Sequence, residues 1–391
     1  MSENVSAVPE IRGWCPGALR PMMSGDGLVV RLRPPVGRLT AEQAHGVADL
    51  SGRYGSGLID LSARANVQLR GVHPTDHAAL IAGLQALGLI DALPEAEARR
   101  NIVVAPFWEK GDGTTDLAAG LAAALVADGA PQTPGKFGYA IDCGAAPVLR
   151  ETSADIRIER AAGGLIVRAD GAETGAAVPP EGAVAAALAL ARWFLGSGGA
   201  DAGRGRMAAH LARGARLPDP FRAVPATPGA ARFAAAPGPC AVGFLAGLGF
   251  GQLSAKTLSI LAESGPIRLT PWRMVLIEGG AHAPDIAGLV TRPDDPLLRV
   301  VACTGAPGCP QAHVATRALA ESLAPAVPAG VVLHVSGCAK GCAHPGPAAL
   351  TLVARPGGTF DLIRGGTTAD PALRAGLSPA ALSANPALLA E

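Results

Sequence analysis

The chain has 391 residues, of which 49% are apolar and 17% charged, and its formal net charge at neutral pH is +1. That length and balance suit two or three domains with well-buried cores. They exclude a disordered chain, and they exclude a polyelectrolyte drawn by bulk charge to nucleic acid or to a membrane surface.

Any anionic ligand must therefore be met by a local cluster of cations. The first residues, MSENVSAVPEIRGWCPG, lack the basic flank and apolar centre of a signal peptide. The longest apolar run, AVAAALALARWFLG, meets Arg192 too early to span a bilayer. Seven cysteines, an odd count without a secretion signal, argue against a disulfide framework. The expectation is a cytoplasmic protein with neither membrane nor nucleic acid as partner.

In chain order, LVVRLRPP reads as a strand with Arg31 and Arg33 on one face. The segment from Gly37 to Gly71 then reads strand, capped helix, strand, with Thr40 and Gln43 forming a capping box. Its end, ARANVQLRG, alternates. Ala63, Ala65, Val67 and Leu69 face one side, and Arg64, Asn66, Gln68 and Arg70 the other. The alternatives for this basic face are a polyanion grip and the solvated side of a surface strand.

An α/β segment follows, with strands at NIVVAP, GYAIDC and GLIVRAD and helices near 116–128 and 181–195. GSGGADAGRGR and the proline-rich stretch 215–239 read as loop and linker. From Gly251 to Gly279 the first pattern returns in diverged form: Gly251-x-Leu253-Ser254-Ala255 matches Gly37-x-Leu39-Thr40-Ala41, and Ile267-x-Leu269-Thr270 matches Ile59-x-Leu61-Ser62. In this second copy the basic face is gone. Trp272, Met274 and Leu276 stand for Arg64, Asn66 and Gln68, and Leu245 and Gly247 stand for the two earlier arginines.

Last comes LLRVVAC, a helix, VVLHVSGC, a helix start, AALTLVA and a weakly specified tail. The expected layout is half 1 at 1–75, an α/β domain at 76–235, half 2 at 236–290 and a second α/β domain at 291–391. This is an α+β fold with pseudo-two-fold duplication and a ligand between its halves.

The last region holds Cys303, Cys309, Cys338 and Cys342, each pair where a β-branched strand runs into a glycine-rich loop. Such loops leave backbone N–H groups free to offset sulfur charge, which thiolate-bound clusters require. Zinc sites favour C-x2-C knuckles, whereas the spacings here are C-x5-C and C-x3-C. Cysteines buried as small hydrophobes are the remaining alternative. Four thiols in two matched loops point to a [4Fe–4S] cluster. Cys15 carries no assignment.

ACxxxxxCP with VSGCxxGC resembles the cluster motif of the sirohaem-dependent sulfite and nitrite reductase superfamily. The duplicated layout resembles it too, over nearly the whole chain. The resemblance implies two ferredoxin-like halves and two reductase-type α/β domains, with the four cysteines as cluster ligands.

RRNIVVAP and PGKFGYAID resemble further segments of that superfamily. They imply Arg100 and Lys136 as pocket cations, beside Arg31, Arg33, Arg64, Asn66 and Gln68, to bind the carboxylates of a tetrapyrrole. Two departures stand out. Gly138 replaces a second lysine, and Lys340 stands where the reductases have asparagine. With these and RGWCPGALRPMMSGDGLVVRLRP, the chain resembles one branch, the precorrin-3B synthases.

That resemblance implies a monooxygenase of aerobic cobalamin biosynthesis. It would hydroxylate C20 of precorrin-3A with O2 and close a γ-lactone; a sirohaem-dependent sulfite or nitrite reductase is the alternative. A tetrapyrrole carrier without turnover is a further alternative.

A cluster with four thiolate ligands has no open site for O2. A mononuclear non-haem iron is a candidate oxygen centre, with His73, Asp76 and His77 offering suitable residue types. Surface histidines at a helix start are the alternative. No G-x-G-x-x-G opens a helix after a strand. NADH is therefore expected to act only indirectly, through a separate reductase or ferredoxin partner.

Overall fold

The computed structural model describes residues 16–226, 233–282, 284–286 and 288–389. The first sequence copy builds an antiparallel sheet in the order Met22–Ser24, Gly27–Leu32, Val67–Val72, Leu58–Leu61, Gln252–Ser254. The second builds Gly238–Cys240, Gly243–Leu248, Met274–Glu278, Ile267–Leu269, Arg38–Leu39, with Leu289–Val290 added beside Gly243–Leu248.

The outermost strand of each sheet comes from the other copy. Gln252 pairs with Asp60, and Arg38 with Arg268. The two copies are therefore stitched together rather than merely abutted. Arg38 and Arg268, carried on paired strands, share the carboxylate of Glu278 at 2.8 and 2.6 Å.

The helices form as their caps dictate. Thr40 and Gln43 exchange both bonds of a capping box at the start of Ala41–Tyr54. Ser254 accepts from Thr257 N at 3.0 Å at the start of Ala255–Glu263. The two helices pack on each other, joined by His45 Nδ1 and Ser259 Oγ at 2.9 Å. Beneath them one apolar core runs through both halves, from Leu39, Val47 and Leu69 to Leu261, Ile267 and Ile277. The duplication reaches the backbone. Val36 and Phe250, before matched glycines, have φ of 51° and 55°, and Ala65 and Arg273 have 54° and 60°.

Each half is joined to an α/β domain with a mixed sheet. In the first, Ile102–Val104, Tyr139–Asp142 and Ile156–Ala161 run parallel, and Gly164–Ala169, Thr174–Val178 and Val224–Pro225 continue antiparallel. In the second, Val300–Ala302, Leu333–Ser336 and Ala348–Ala354 are parallel, followed by Phe360–Gly366 and Arg374–Leu377. One loop bond recurs in both: Ala105 N to Ile141 O at 2.8 Å, and Cys303 N to Val335 O at 3.3 Å. No described helix is long and apolar enough to cross a membrane.

Three local expectations are corrected. The alternation at ARANVQLRG begins only at Val67, because residues 63–65 form a turn with Ala65 at positive φ. The chain after Cys338 makes turns rather than a helix start. The C-terminal tail is ordered: it forms the helix Pro379–Ala384, and Leu382 and Leu389 are buried in the second α/β core.

Candidate functional site

Cys303 lies just past Val300–Ala302, and Cys338 just past Leu333–Ser336, at the carboxyl ends of adjacent parallel strands. That end of an α/β sheet is where ligand sites recur, because the loops leaving it carry free N–H groups. Here the four cysteines line one cavity of about 400 Å³ together with Arg31, Gln68, Arg70, Arg273 and Arg317. The basic face of the first half and the thiols thus meet at one cavity.

Backbone N–H groups do reach sulfur. Gly337 N donates to Cys303 Sγ at 3.1 Å. A Cβ on Gly337 would stand 2.7 Å from Ala312 Cβ and 3.4 Å from Cys303 Sγ, so only glycine permits that approach. Burial pushes the Cys338 thiol up; an N–H of Lys340 opposes this, and the neighbouring Cys309 and Cys303 add to the rise. Burial raises Cys342 as well, opposed by the Lys340 charge. A bound metal cation displaces the protons of such thiols into solvent and takes the thiolates as ligands.

Among the described residues, no three of His, Cys, Asp and Glu converge where one metal ion could sit. For the cysteines this is compatible with a multi-iron group, in which each thiolate binds its own iron. For the candidate mononuclear iron at His73, Asp76 and His77, it favours the alternative of histidines at a helix start. His73 Nδ1 bonds Thr75 Oγ1 at 2.7 Å and His77 Nε2 donates to Ala18 O at 2.9 Å, so the first ring serves its own turn, the second ties the helix start to the segment at Ala18, and Asp76 does not join them.

Of the cations expected at the pocket, the cavity wall includes Arg31, whose Nη2 donates to Gln68 Oε1 at 2.6 Å. Arg64 instead reaches Lys136 O at 2.9 Å and Ser153 Oγ at 3.1 Å, beside the cavity-lining Ala63. The Lys136 side chain is exposed, and Asn66 is buried in the turn.

Arg33 and Arg100 lie elsewhere, on a second cavity of about 320 Å³. Arg33 pairs with Glu97 at 3.1 Å, and Arg100 grips Asp91 through Nε and Nη2 at 2.8 and 2.6 Å. Both guanidiniums are thus committed to carboxylates of the segment that follows the first half. Cys15 falls outside the described residues.

Arg273 and Arg317 were not foreseen. Arg273 belongs to the half that had lost its basic face, and Arg317 opens the helix Arg317–Leu323. Burial, and then the like charge of Arg317, lower the pKa of Arg273. The available signal was Arg273 itself, the one cation in the apolar TPWRMVLIE strand entry.

Residues 20–87 match the model of the nitrite/sulfite reductase ferredoxin-like half domain. A precorrin-3B synthase from Sinorhizobium sp. is 30% identical over 92% of this chain and 84% of its own length. The chain belongs to the precorrin-3B synthase family. It is thus an enzyme, with the place in cobalamin biosynthesis that the sequence resemblance implied. The Mycobacterium tuberculosis NirA protein shares the fold, with a TM-score of 0.58 at 17% identity over 91% of this chain and 79% of that one. This likeness supports the α+β class and the ferredoxin-like half already read from the chain.

Proposed function

We propose that this precorrin-3B synthase family member converts precorrin-3A to precorrin-3B, hydroxylating C20 with O2 and closing a γ-lactone from the ring A acetate onto C1. One oxygen atom enters the product and the other leaves as water, which requires two electrons and two protons. The observation that carries the reading is one cavity lined by both the four thiols and the arginines.

Cys303, Cys309, Cys338 and Cys342 would hold a [4Fe–4S] cluster; the Gly337 N–H on sulfur and the absence of room for a side chain there suit that donor set. When bound, such a cluster supplies electrons singly. Arg31, with Gln68 fixing its plane, would orient a polycarboxylate disc by charge-assisted bonds in a partly dry site. Arg70 and Arg317, paired with Asp26 and Asp60, and Arg273 add positive charge to the same lining. Arg64 beside Ser153 adds a cation next to the cavity wall. Electrons come from an external NADH-linked reductase or ferredoxin.

The structure gives a reason for the departure at Gly138. A Cβ there would lie 2.9 Å from Asn101 Nδ2, and Asn101 is held by Phe137 O at 3.0 Å. A lysine at 138 has no space, so the second proton donor of an oxyanion reductase has no seat. The test is turnover of precorrin-3A by the iron- and sulfide-reconstituted chain with O2 and a reductant. Precorrin-3B is expected. Sharp absorption bands of a bound iron-tetrahydroporphyrin, with nitrite or sulfite consumed, would overturn the reading.

A further inference from the structure

We propose that two arginines, one from each sequence copy, clamp the two cysteine loops: Arg70 the loop from Cys303 to Cys309, and Arg273 the loop through Cys342. Each guanidinium donates to the carbonyl beside the second cysteine of its pair. Arg70 Nη2 reaches Gly308 O at 2.7 Å, and Arg273 Nη2 reaches Ala343 O at 3.0 Å.

The first clamp is reinforced. Gly308 O also accepts from Ser24 Oγ at 2.6 Å and Gly25 N at 3.3 Å, so three donors converge on one oxygen. A Cβ on Gly25 would stand 2.2 Å from Pro307 O, so the hairpin and the cysteine loop touch backbone to backbone. On the other side of that peptide, Cys309 N donates to Gly305 O at 2.8 Å.

The Arg70 charge is offset by Asp26 at 2.7 Å and by Asp60 at 3.7 Å. Asp60 is also held by Arg317 at 3.1 Å, and Thr316, one residue earlier, donates to Cys303 O at 2.7 Å. Both ends of the first loop are thus tied to the sheet of the first half.

The second clamp is made at a cost in backbone energy. Arg273 sits at φ 60°, a conformation that disfavours an L side chain. Its counterpart Ala65 has the same backbone and buries its methyl in the core of the two halves. The left-handed turn aims the Arg273 side chain across the pseudo-two-fold, at a loop of another domain.

The arginines are positioning residues: they act on the thiols through neighbouring carbonyls, and they make cysteine placement depend on the docked halves. The clamps do not rest on the cluster reading, and the experiment separates the two. Hydrogen exchange is measured on the full-length chain, with and without iron and sulfide, for Arg70→Lys and Arg273→Gly. Lysine keeps the charge facing Asp26 and Asp60 but lacks the fork that also reaches Gly308; glycine keeps the left-handed turn.

Arg70→Lys should speed exchange in residues 303–312 by about tenfold, the loss of one charge-assisted bond, and leave 338–346 unchanged. Arg273→Gly should do the reverse. Each variant should also alter the electron paramagnetic resonance line shape of the reduced, iron-replete chain. Unchanged loops, or equal loosening of both loops and of Gly243–Leu248, would overturn the clamps. A chain that takes up no iron or sulfide would sink the cluster reading, while the exchange data would still judge the clamps.

Discussion

The two halves share a strand–helix–strand–strand unit, an exchanged edge strand and the same two left-handed backbone positions, yet their open sheet faces meet different neighbours. In the first half Arg31, Gln68 and Arg70 line a cavity together with four thiols. In the second, Leu245, Met274 and Leu276 are covered by Phe107, Trp272 and Cys240. Phe107 stacks on Trp272 at 5.8 Å, and Phe233 adds a third ring 5.0 Å from Trp272.

The α/β domains repeat the contrast. Where the second opens onto the cysteine loops, the first keeps a pocket of about 40 Å³ beside Asp142 and Cys143. Burial pushes that lone thiol up to about 11. A duplicated scaffold thus offers two equivalent clefts; here one became a site and the other a core. A cleft lined by cations must stay open to an anionic ligand, whereas one lined by apolar groups gains stability by closing.

The largest effect that could break this comparison is at the thiols. Cys338→Ser is expected to lose most of the iron and sulfide on reconstitution, and Cys143→Ala none; equal loss in both would remove the distinction between the domains. Next is the basic wall. Arg31→Ala should raise the tetrapyrrole dissociation constant by about ten- to hundredfold, as expected for losing charge-assisted bonds, with the cluster spectrum unchanged. Arg64→Ala should weaken binding less, because its guanidinium is shared with Ser153 and Lys136 O.

In the filled half, Phe107→Ala should leave binding alone and lower unfolding free energy by about 1–3 kcal/mol in a denaturant titration. Gly138→Lys should cost a similar amount, about 1–3 kcal/mol from overpacking against Asn101, and should confer no nitrite or sulfite reduction.

The smallest effect concerns acid. His334 is fully buried, with neither ring nitrogen hydrogen-bonded among the described residues, and burial, then His344 and Arg273, pull its pKa from 6.5 down to about 4. Between those values the unfolded chain binds a proton that the fold refuses, so stability falls as the pH drops through this window. His334→Leu should flatten that part of the stability–pH curve; an unchanged slope would show that the ring is not the group responsible.

Much of this was legible in the chain. The capping box at Thr40, the diverged repeat, the strand-to-loop placement of Cys303 and Cys338 and the loss of a basic face in the second copy all follow from local rules of period, capping and turn chemistry. Alternation misplaced Arg64 because it extrapolates a strand through a turn, and the turn at Ala65 depends on how the hairpin folds back.

Arg33 and Arg100 carried the right charge for the pocket, but Glu97 and Asp91, near them only in the folded chain, hold them on another cavity. Arg273 and Arg317 went unseen for the converse reason, since the elements that bring them to the thiols are far apart in sequence. Residue type and spacing determined which chemistry this chain can hold. Which cations meet the thiols was decided by strand exchange and domain docking, because electrostatic partners are chosen by distance in space, and sequence spacing reports that distance only within a single element.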